Sequence, residues 1–514
     1  MRSTKMSPVA YLQPAVLFLL VPIIINSLFR LTARRGKAKE LKPNLPPGPR
    51  PLPIIGNLHH LGRHPHLSLR RLSQFYGPII QLTLGQIPTV VVSSPSTARD
   101  VLRTHDLALC SRPALVAARK LFYDCTDITF SPYGPYWRGL RKLCILELLS
   151  VRRVDSFAPA RAVETAALVA SVTDEQRRDG SVNLSRALAE YASGLLCRTA
   201  LGKDWASGGD HERRGFLQML EEHQILLGGF SIGDFFPSLA WVSALTGMRR
   251  QLQSTFSKLD AFLDEVIADH LEKRESNAPD LVDVLLAAQR DESADVRLTM
   301  DNIKAVILDM FAAGTDTTFI TLDWAMTELA MNPKAMRAAQ QEVRAVVGNR
   351  ASVAESDLGQ LPYMKAVIKE TLRLHPPVPV LVPRESMKAV TIEGYDIPVK
   401  TRIFVNVWAI GRDPELWEEA EAFVPERFLG SEVDYKGQDF ELLPFGAGRR
   451  GCPGLAFGIA NVEIALAQML HSFDWELPPG THAEDFDMDE VFGITMHRAQ
   501  NLVLVARPLF AGEA

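Results

Sequence analysis

Cysteine is scarce in this chain: five in 514 residues, an odd number without regular spacing. That excludes a disulfide framework and agrees with a reducing compartment. Excess charge is missing too. The net charge is −4, with lysine and arginine spread along the sequence, so nothing points to nucleic-acid binding. The sequence carries no phosphate-binding P-loop, no flavin or nicotinamide motif, no internal repeat and no low-complexity run. Strand-like stretches are short and few, at 79–84, 89–93, 389–392, 402–407 and 502–506. Helical spacing recurs over 97–104, 136–148, 154–173, 216–227, 248–275, 301–331, 334–347 and 362–374. The expected fold class is therefore mainly α with small peripheral β-sheets.

One apolar stretch stands outside this body. Val9 to Phe29 is long enough to span a bilayer as a helix. A cleaved secretory signal is the competing reading, but the run is longer than a signal needs and no convincing small-x-small cleavage site follows. Arg30, Arg34, Arg35, Lys37, Lys39 and Lys42 follow it, against Arg2 and Lys5 before, and this bias leaves the rest of the chain in the cytosol. The basic stretch suits lipid headgroups. Leu45-Pro46-Pro47-Gly48-Pro49 then forms a stiff extended turn. The expected organisation is a membrane anchor at 1–30, a basic and proline-rich hinge at 31–50 and one body at 51–514, interrupted only by polar stretches near 173–180, 203–214, 272–280 and 290–297. The sequon at Asn183-Leu184-Ser185 stays unmodified in a cytosolic body.

Cys452 lies in Phe445-Gly446-Ala447-Gly448-Arg449-Arg450-Gly451-Cys452-Pro453-Gly454, ahead of an apolar helix over 455–473 whose one acid is Glu463. At such a helix start, free backbone N–H groups and the macrodipole favour a thiolate. Pro453 suits the first helical position. Gly448 and Gly454 permit tight turns and close approach to something flat and bulky. Arg450 adds a fixed positive charge. A single thiolate on such a loop is what an axial haem ligand needs. Cys110, Cys125, Cys144 and Cys197 read as buried and inert.

The run closely resembles the haem-binding loop of the cytochrome P450 monooxygenases. The resemblance implies haem b (iron protoporphyrin IX) with Cys452 as axial thiolate, and Phe445, Arg450 and Gly454 against the cofactor. Further along, Ala313-Gly314-Thr315-Asp316-Thr317-Thr318 sits in a long apolar segment where helix propensity disfavours so many threonines. Their hydroxyls commonly bond back to the helix's own carbonyls. The stretch also resembles the family's acid-alcohol pair, with Gly314 leaving room for dioxygen while Asp316 and Thr317 supply protons in a dry cavity.

Glu370 and Arg373, three apart, share a helix face in a segment that must stop before Pro376. Such pairs are ordinarily weak surface pairs. With Pro425-Glu426-Arg427-Phe428 they match the family's E-x-x-R and P-E-R-F, implying a buried Glu370–Arg373–Arg427 cluster that braces the Cys452 face. Trp137 and Arg141, four apart, share a helix face; by resemblance they donate to the haem propionates, joined by Arg384 and Arg450. The fold implied is the cytochrome P450 fold, and the PPGP hinge, Phe130-Ser131-Pro132-Tyr133-Gly134, AGTDTT and Phe492-Gly493-Ile494-Thr495 place the chain nearest the membrane-bound plant enzymes of specialised metabolism. These insert one oxygen atom from dioxygen into a hydrophobic small molecule, with NADPH electrons from a separate reductase, at the endoplasmic reticulum membrane. Substrate-facing segments are expected at 120–126, at Asp309, Ala312 and Ala313, at 378–382 and at 492–494, with Phe122, Val380 and Phe492 as contacts. A haem-thiolate isomerase or dehydratase, or a tethered haem carrier without turnover, are the alternatives; the intact acid-alcohol pair argues against both.

Overall fold

Prolines and short polar side chains set where the helices start. The computed structural model describes residues 43–509 apart from 203–209, 230, 245–246, 273–279, 293–295 and 483–485. The expected anchor and residues 31–42 of the hinge lie outside the described residues; residues 43–50 have no regular secondary structure. The longer helices are α1 (Pro65–Tyr76), α2 (Pro135–Leu143), α3 (Ala158–Asp179), α4 (Leu184–Leu201), α5 (Asp210–Gly228), α6 (Met248–Glu272), α7 (Leu281–Arg290), α8 (Met300–Met331), α9 (Pro333–Val347), α10 (Pro362–Leu374) and α11 (Leu455–Ser472). Proline occupies the first turn of α1, α2, α3, α9 and α10, where its missing N–H leaves no intrahelical bond unmade. Thr299 and Asn302 form a reciprocal cap on α8, at 3.2 and 3.0 Å. Asn183 caps α4, its side chain accepting from the Arg186 N–H at 3.1 Å.

Several expected boundaries move. The 97–104 helix is two short pieces, 136–148 ends in a π turn over Cys144–Leu148, and 154–173 breaks at Phe157 but runs on to Asp179. Gly180, at φ 73°, ends it in the left-handed conformation. Helices α1 and α4 were not anticipated. Much of α4 is buried, on more than one face, so it shows no clean apolar stripe.

The main sheet joins β1 (Ile79–Leu84), β2 (Ile87–Val92), β4 (Arg384–Glu385) and β7 (Arg402–Val405) in the order β1-β2-β7-β4, β3 being the short Val182–Asn183. β2 and β7 are parallel, with Thr89 opposite Arg402. β5 (Val390–Ile392) and β6 (Tyr395–Ile397) form a hairpin, as do β9 (Glu490–Phe492) and β10 (Met496–Arg498). β8 (Phe473–Glu476) and β3 flank β11 (Val503–Pro508). The sheets are small, and β3, β8 and β11 put Val182, Phe473 and Leu504 into the helical core.

Helix α8 organises that core. Its C-terminal half puts Leu322, Ala325, Met326 and Leu329 into one apolar cluster with α3, α4, α9, α10 and α11. Its N-terminal half puts Ile303, Val306, Ile307 and Phe311 into a second cluster with α6 and α7. Helices α8 and α11 are long and apolar enough to cross a membrane, but both are largely buried in the body, which explains their composition without lipid. Between the two clusters, where α8 runs unbroken through Gly314 and its threonines, packing gives way to a cavity.

Candidate active site

The 445–454 loop closes on itself before it opens on that cavity. The Cys452 N–H donates to the Phe445 carbonyl at 2.9 Å. Gly448, at φ 69°, lies against the preceding segment so closely that a Cβ there would stand 2.1 Å from the Leu102 carbonyl oxygen. Only glycine meets both demands. The Arg449 N–H and guanidinium each donate to Asp106 at 3.0 Å, pinning the loop from outside. Helix α11 begins at Leu455 with Gly454 as its N-cap, so Pro453 precedes the helix instead of opening it. Phe445, Gly446, Cys452 and Gly454 all line the cavity. The accessible surface of Cys452 faces this enclosed space, not the exterior. Burial pushes its thiol up, opposed by the Gly454 N–H and the Arg141 charge, so the helix end alone does not hold a thiolate here.

Across the cavity run Asp309, Met310, Ala312, Ala313, Gly314 and Thr317 of α8. The Thr317 hydroxyl donates to the Ala313 carbonyl at 2.7 Å, the back-bonding that threonines adopt in helices, and Thr318, Thr321 and Thr327 do the same. Asp316 is half-buried, lies outside the cavity lining and accepts from the Thr495 hydroxyl at 2.5 Å. Burial raises its carboxyl, against the Thr495 hydrogen bond and His497.

The cavity measures 280 Å³, where a single water needs about 10–15 Å³ on the same measure. Phe122, Ala312 and Ala313 line it as expected. Val380 and Phe492 do not. Both pack into a separate cluster with Leu69, Ile80, Leu82 and Val91, and Phe492 stacks on His66 with centroids 5.8 Å apart. Leu381 turns through φ 51°, which sends Leu381 and Val382 inward in place of Val380. In the hairpin, Ile494 and Thr495 reach the cavity from the turn after Phe492. Within 120–126 only Phe122 contributes; Ile128, Thr129 and Phe130 supply the wall. Asp309 is a clasp: its carboxylate accepts from the Ile128 and Thr129 N–H groups, each at 3.0 Å, and from the Thr129 hydroxyl at 2.7 Å.

The family model described as cytochrome P450 matches residues 46–505. The chain belongs to the cytochrome P450 family. It is 62% identical to cytochrome P450 71AP13 of Prunus mume over 96% of this chain and 95% of that one. It is 46% identical to strychnine-11-hydroxylase of Strychnos nux-vomica, covering 94% and 96%, and 45% identical to premnaspirodiene oxygenase of Hyoscyamus muticus, covering 96% and 98%. A solved zebra fish cytochrome P450 structure with progesterone superposes with a TM-score of 0.75 at 27% identity, over 86% of this chain and 99% of that one. The chain is a plant A-type P450 of specialised metabolism, a haem-thiolate monooxygenase with haem b and a cysteine axial ligand. A hydrophobic substrate, dioxygen and a redox partner go with that chemistry.

The lining of this P450 cavity fits haem on charge grounds. Arg112, Arg141, Arg384 and Arg450 converge on it, whereas the one carboxylate in the lining, Asp309, is taken by the clasp. Burial pushes Arg450 down to about 9, with the Arg384 and Arg141 charges adding to the effect. Burial and the Arg450 and Arg384 charges push Arg112 well down too. Arg384 already pairs with the buried Asp106 at 2.6 Å, and two propionates would supply counter-charges to the other guanidinium groups. The arginines are already aimed by backbone: Arg112 and Arg384 donate to the carbonyls of Val382 and Ala447 at 2.6 and 3.0 Å, and Arg141 to Gly451 at 2.5 Å. Arg450 donates to the Cys110, Ile128 and Ser131 carbonyls. Trp137 lies outside the lining, its indole N–H given to the Ile128 carbonyl at 2.9 Å while Arg450 stacks 3.9 Å over its ring. It is a platform for arginines here and not a donor to the cavity. Arg112 was not singled out from sequence; the one signal was its place in Ser111-Arg112-Pro113, which has no spacing rule behind it.

Glu370, Arg373 and Arg427 do come together. Arg373 forks onto Glu370 at 2.6 and 2.7 Å, and the Arg427 Nε donates to the same carboxylate at 3.1 Å. The Val424 N–H adds a further bond at 2.8 Å, and Arg373 also holds the Gly411, Ala420 and Ala422 carbonyls. Glu370 and Arg373 are fully buried, so every lone pair and proton must find a partner, and this set supplies them.

Proposed function

We propose that Cys452 is the axial ligand, that Arg112, Arg141, Arg384 and Arg450 neutralise the haem propionates, and that Thr317 and Asp316 govern proton delivery on the opposite side. The carrying observation is that Cys452 and Thr317 line one cavity, one from the loop before α11 and one from α8. Haem, when bound, supplies the activation of dioxygen, favoured by a thiolate that pushes electron density toward it. The chain's residues do the rest. Phe122, Ile128, Phe130, Val382 and Ile494 bind and orient an apolar plant metabolite and keep water out; Thr317 holds a proton at its hydroxyl; Asp316 holds another in reserve. Glu370, Arg373 and Arg427 fix the Cys452 face without touching substrate. Replacing Cys452 with alanine should abolish the thiolate-type spectrum of the reduced carbonyl complex; its persistence overturns the ligand assignment.

In the same reading, residues 1–30 anchor the protein once in the endoplasmic reticulum membrane, 31–50 form the hinge and 51–514 the cytosolic catalytic body. Exposed apolar side chains support lipid contact: Leu52, Ile54 and Ile55 flank the β1–β2 turn, and Trp241 belongs to the segment whose Phe235 and Ser238 bond Gln86 in that turn. NADPH–cytochrome P450 reductase is the electron donor, meeting the basic outer side of the Cys452 loop, where Arg449 and Arg138 are exposed. Deleting residues 1–30 should release the protein from microsomal membranes with its haem spectrum intact; a protein still membrane-bound would refute the anchor.

A further inference from the structure

Neighbours in a helix point about 100° apart, which lets an acid and the alcohol after it face different surroundings. Here Thr317 takes the cavity side and Asp316 is turned away, toward the β9–β10 hairpin. Its carboxylate meets Thr495, and Thr495 itself lines the cavity. We propose that Thr495 is the hydroxyl through which the half-buried Asp316 carboxyl exchanges protons with the cavity. This rests on the proton-delivery role given above to Asp316, and adds a residue from the far end of the chain.

Geometry carries the case. The Thr495 hydroxyl donates directly to Asp316 Oδ2, with no intervening group. The hydroxyl is held in place from both sides, because the Gly493 N–H donates to the Thr495 carbonyl at 3.0 Å and the Met496 N–H to the Pro377 carbonyl at 2.9 Å. Thr317, by contrast, has its proton directed at Ala313. With Asp316 ionised, Thr495 donates to it. With Asp316 protonated, Thr495 accepts from it and turns its own proton to the cavity. One proton then leaves the carboxyl for the Thr495 oxygen as another leaves that oxygen for a basic atom in the cavity, and no electrons move. The carboxylate regains a proton from water, and His497, when protonated, favours its ionised form.

The test uses the full chain with its reductase, comparing Thr495→Val, Thr495→Ser and Asp316→Asn. In infrared difference spectra, the carboxyl stretch that disappears in Asp316→Asn should shift in Thr495→Val and return in Thr495→Ser. Product formed per NADPH should fall about tenfold in Thr495→Val, with a larger solvent deuterium effect, and recover in Thr495→Ser. The substrate-induced spin-state titration should give an unchanged Kd. Thr495→Val with wild-type coupling overturns the proposal, as does a loss of coupling that tracks a loss of substrate affinity, which would make Thr495 a prop for the loop. A wild-type protein without the thiolate-type spectrum or product would overturn the proposed function itself.

Discussion

Thr317 keeps its hydroxyl proton on its own helix at 2.7 Å from Ala313, yet its oxygen still faces the cavity with lone pairs to spare. Removing that oxygen leaves the helix intact, since the lost bond is one the helix does not need. Thr317→Ala is therefore expected to keep haem and the fold while diverting reducing equivalents to peroxide. The ratio of product to NADPH consumed checks this, and unchanged coupling would count against the role. The Cys452 loop stood out in the sequence because five positions in ten are constrained, each for its own physical reason. Phe492 and Val380 fall outside the cavity lining, and for Val380 the direction of the side chain depends on one backbone angle. The left-handed Leu381, with φ 51°, decides which neighbour points inward, and no residue type announces it.

Among the helices, α10 shows how a three-residue spacing becomes architecture. A Glu/Arg pair at that spacing is worth tenths of a kcal/mol on a surface. Buried, with Arg427 and three backbone carbonyls around it, the same pair cannot lose one partner cheaply. Glu370→Gln preserves shape but strands Arg373 and Arg427 without a counter-charge. We expect a loss of about 3–5 kcal/mol by denaturant unfolding, and loss of haem during purification before any change in product identity. That cluster was readable because its motif spans two segments. Helices α1 and α4 were not, one opening after a histidine-rich loop and the other buried on more than one face. Amphipathic periodicity reports a boundary between core and water, and α4 scarcely has one.

Over the molecule as a whole, the C-terminal hairpin ties distant parts together. Glu490 meets His66 of α1 at 3.2 Å and His375, just past α10, at 3.7 Å; His375 in turn meets Glu328 of α8 at 2.7 Å and stacks on Trp324. Burial raises the Glu490 carboxyl, but the hydrogen bonds and charges of His375 and His66 outweigh it and bring the group from 4.5 down to about 2. A depressed carboxyl contributes stability above its unfolded value and loses it as pH falls. The window is thus from about pH 4.5 to about 2, and the contribution is on the order of 3 kcal/mol. Glu490→Gln should flatten that part of the acid limb, measured by denaturant unfolding at a series of pH values.

The same hairpin has a consequence for biosynthesis. Glu490 clasps a helix made near the beginning of translation, and Ile494 and Thr495 finish the wall of the pocket. A nascent chain that has not reached residue 490 has neither the clasp nor this part of the wall, so the cavity stays incomplete until both are made. A ribosome stalled before that point would display a bowl without its lid.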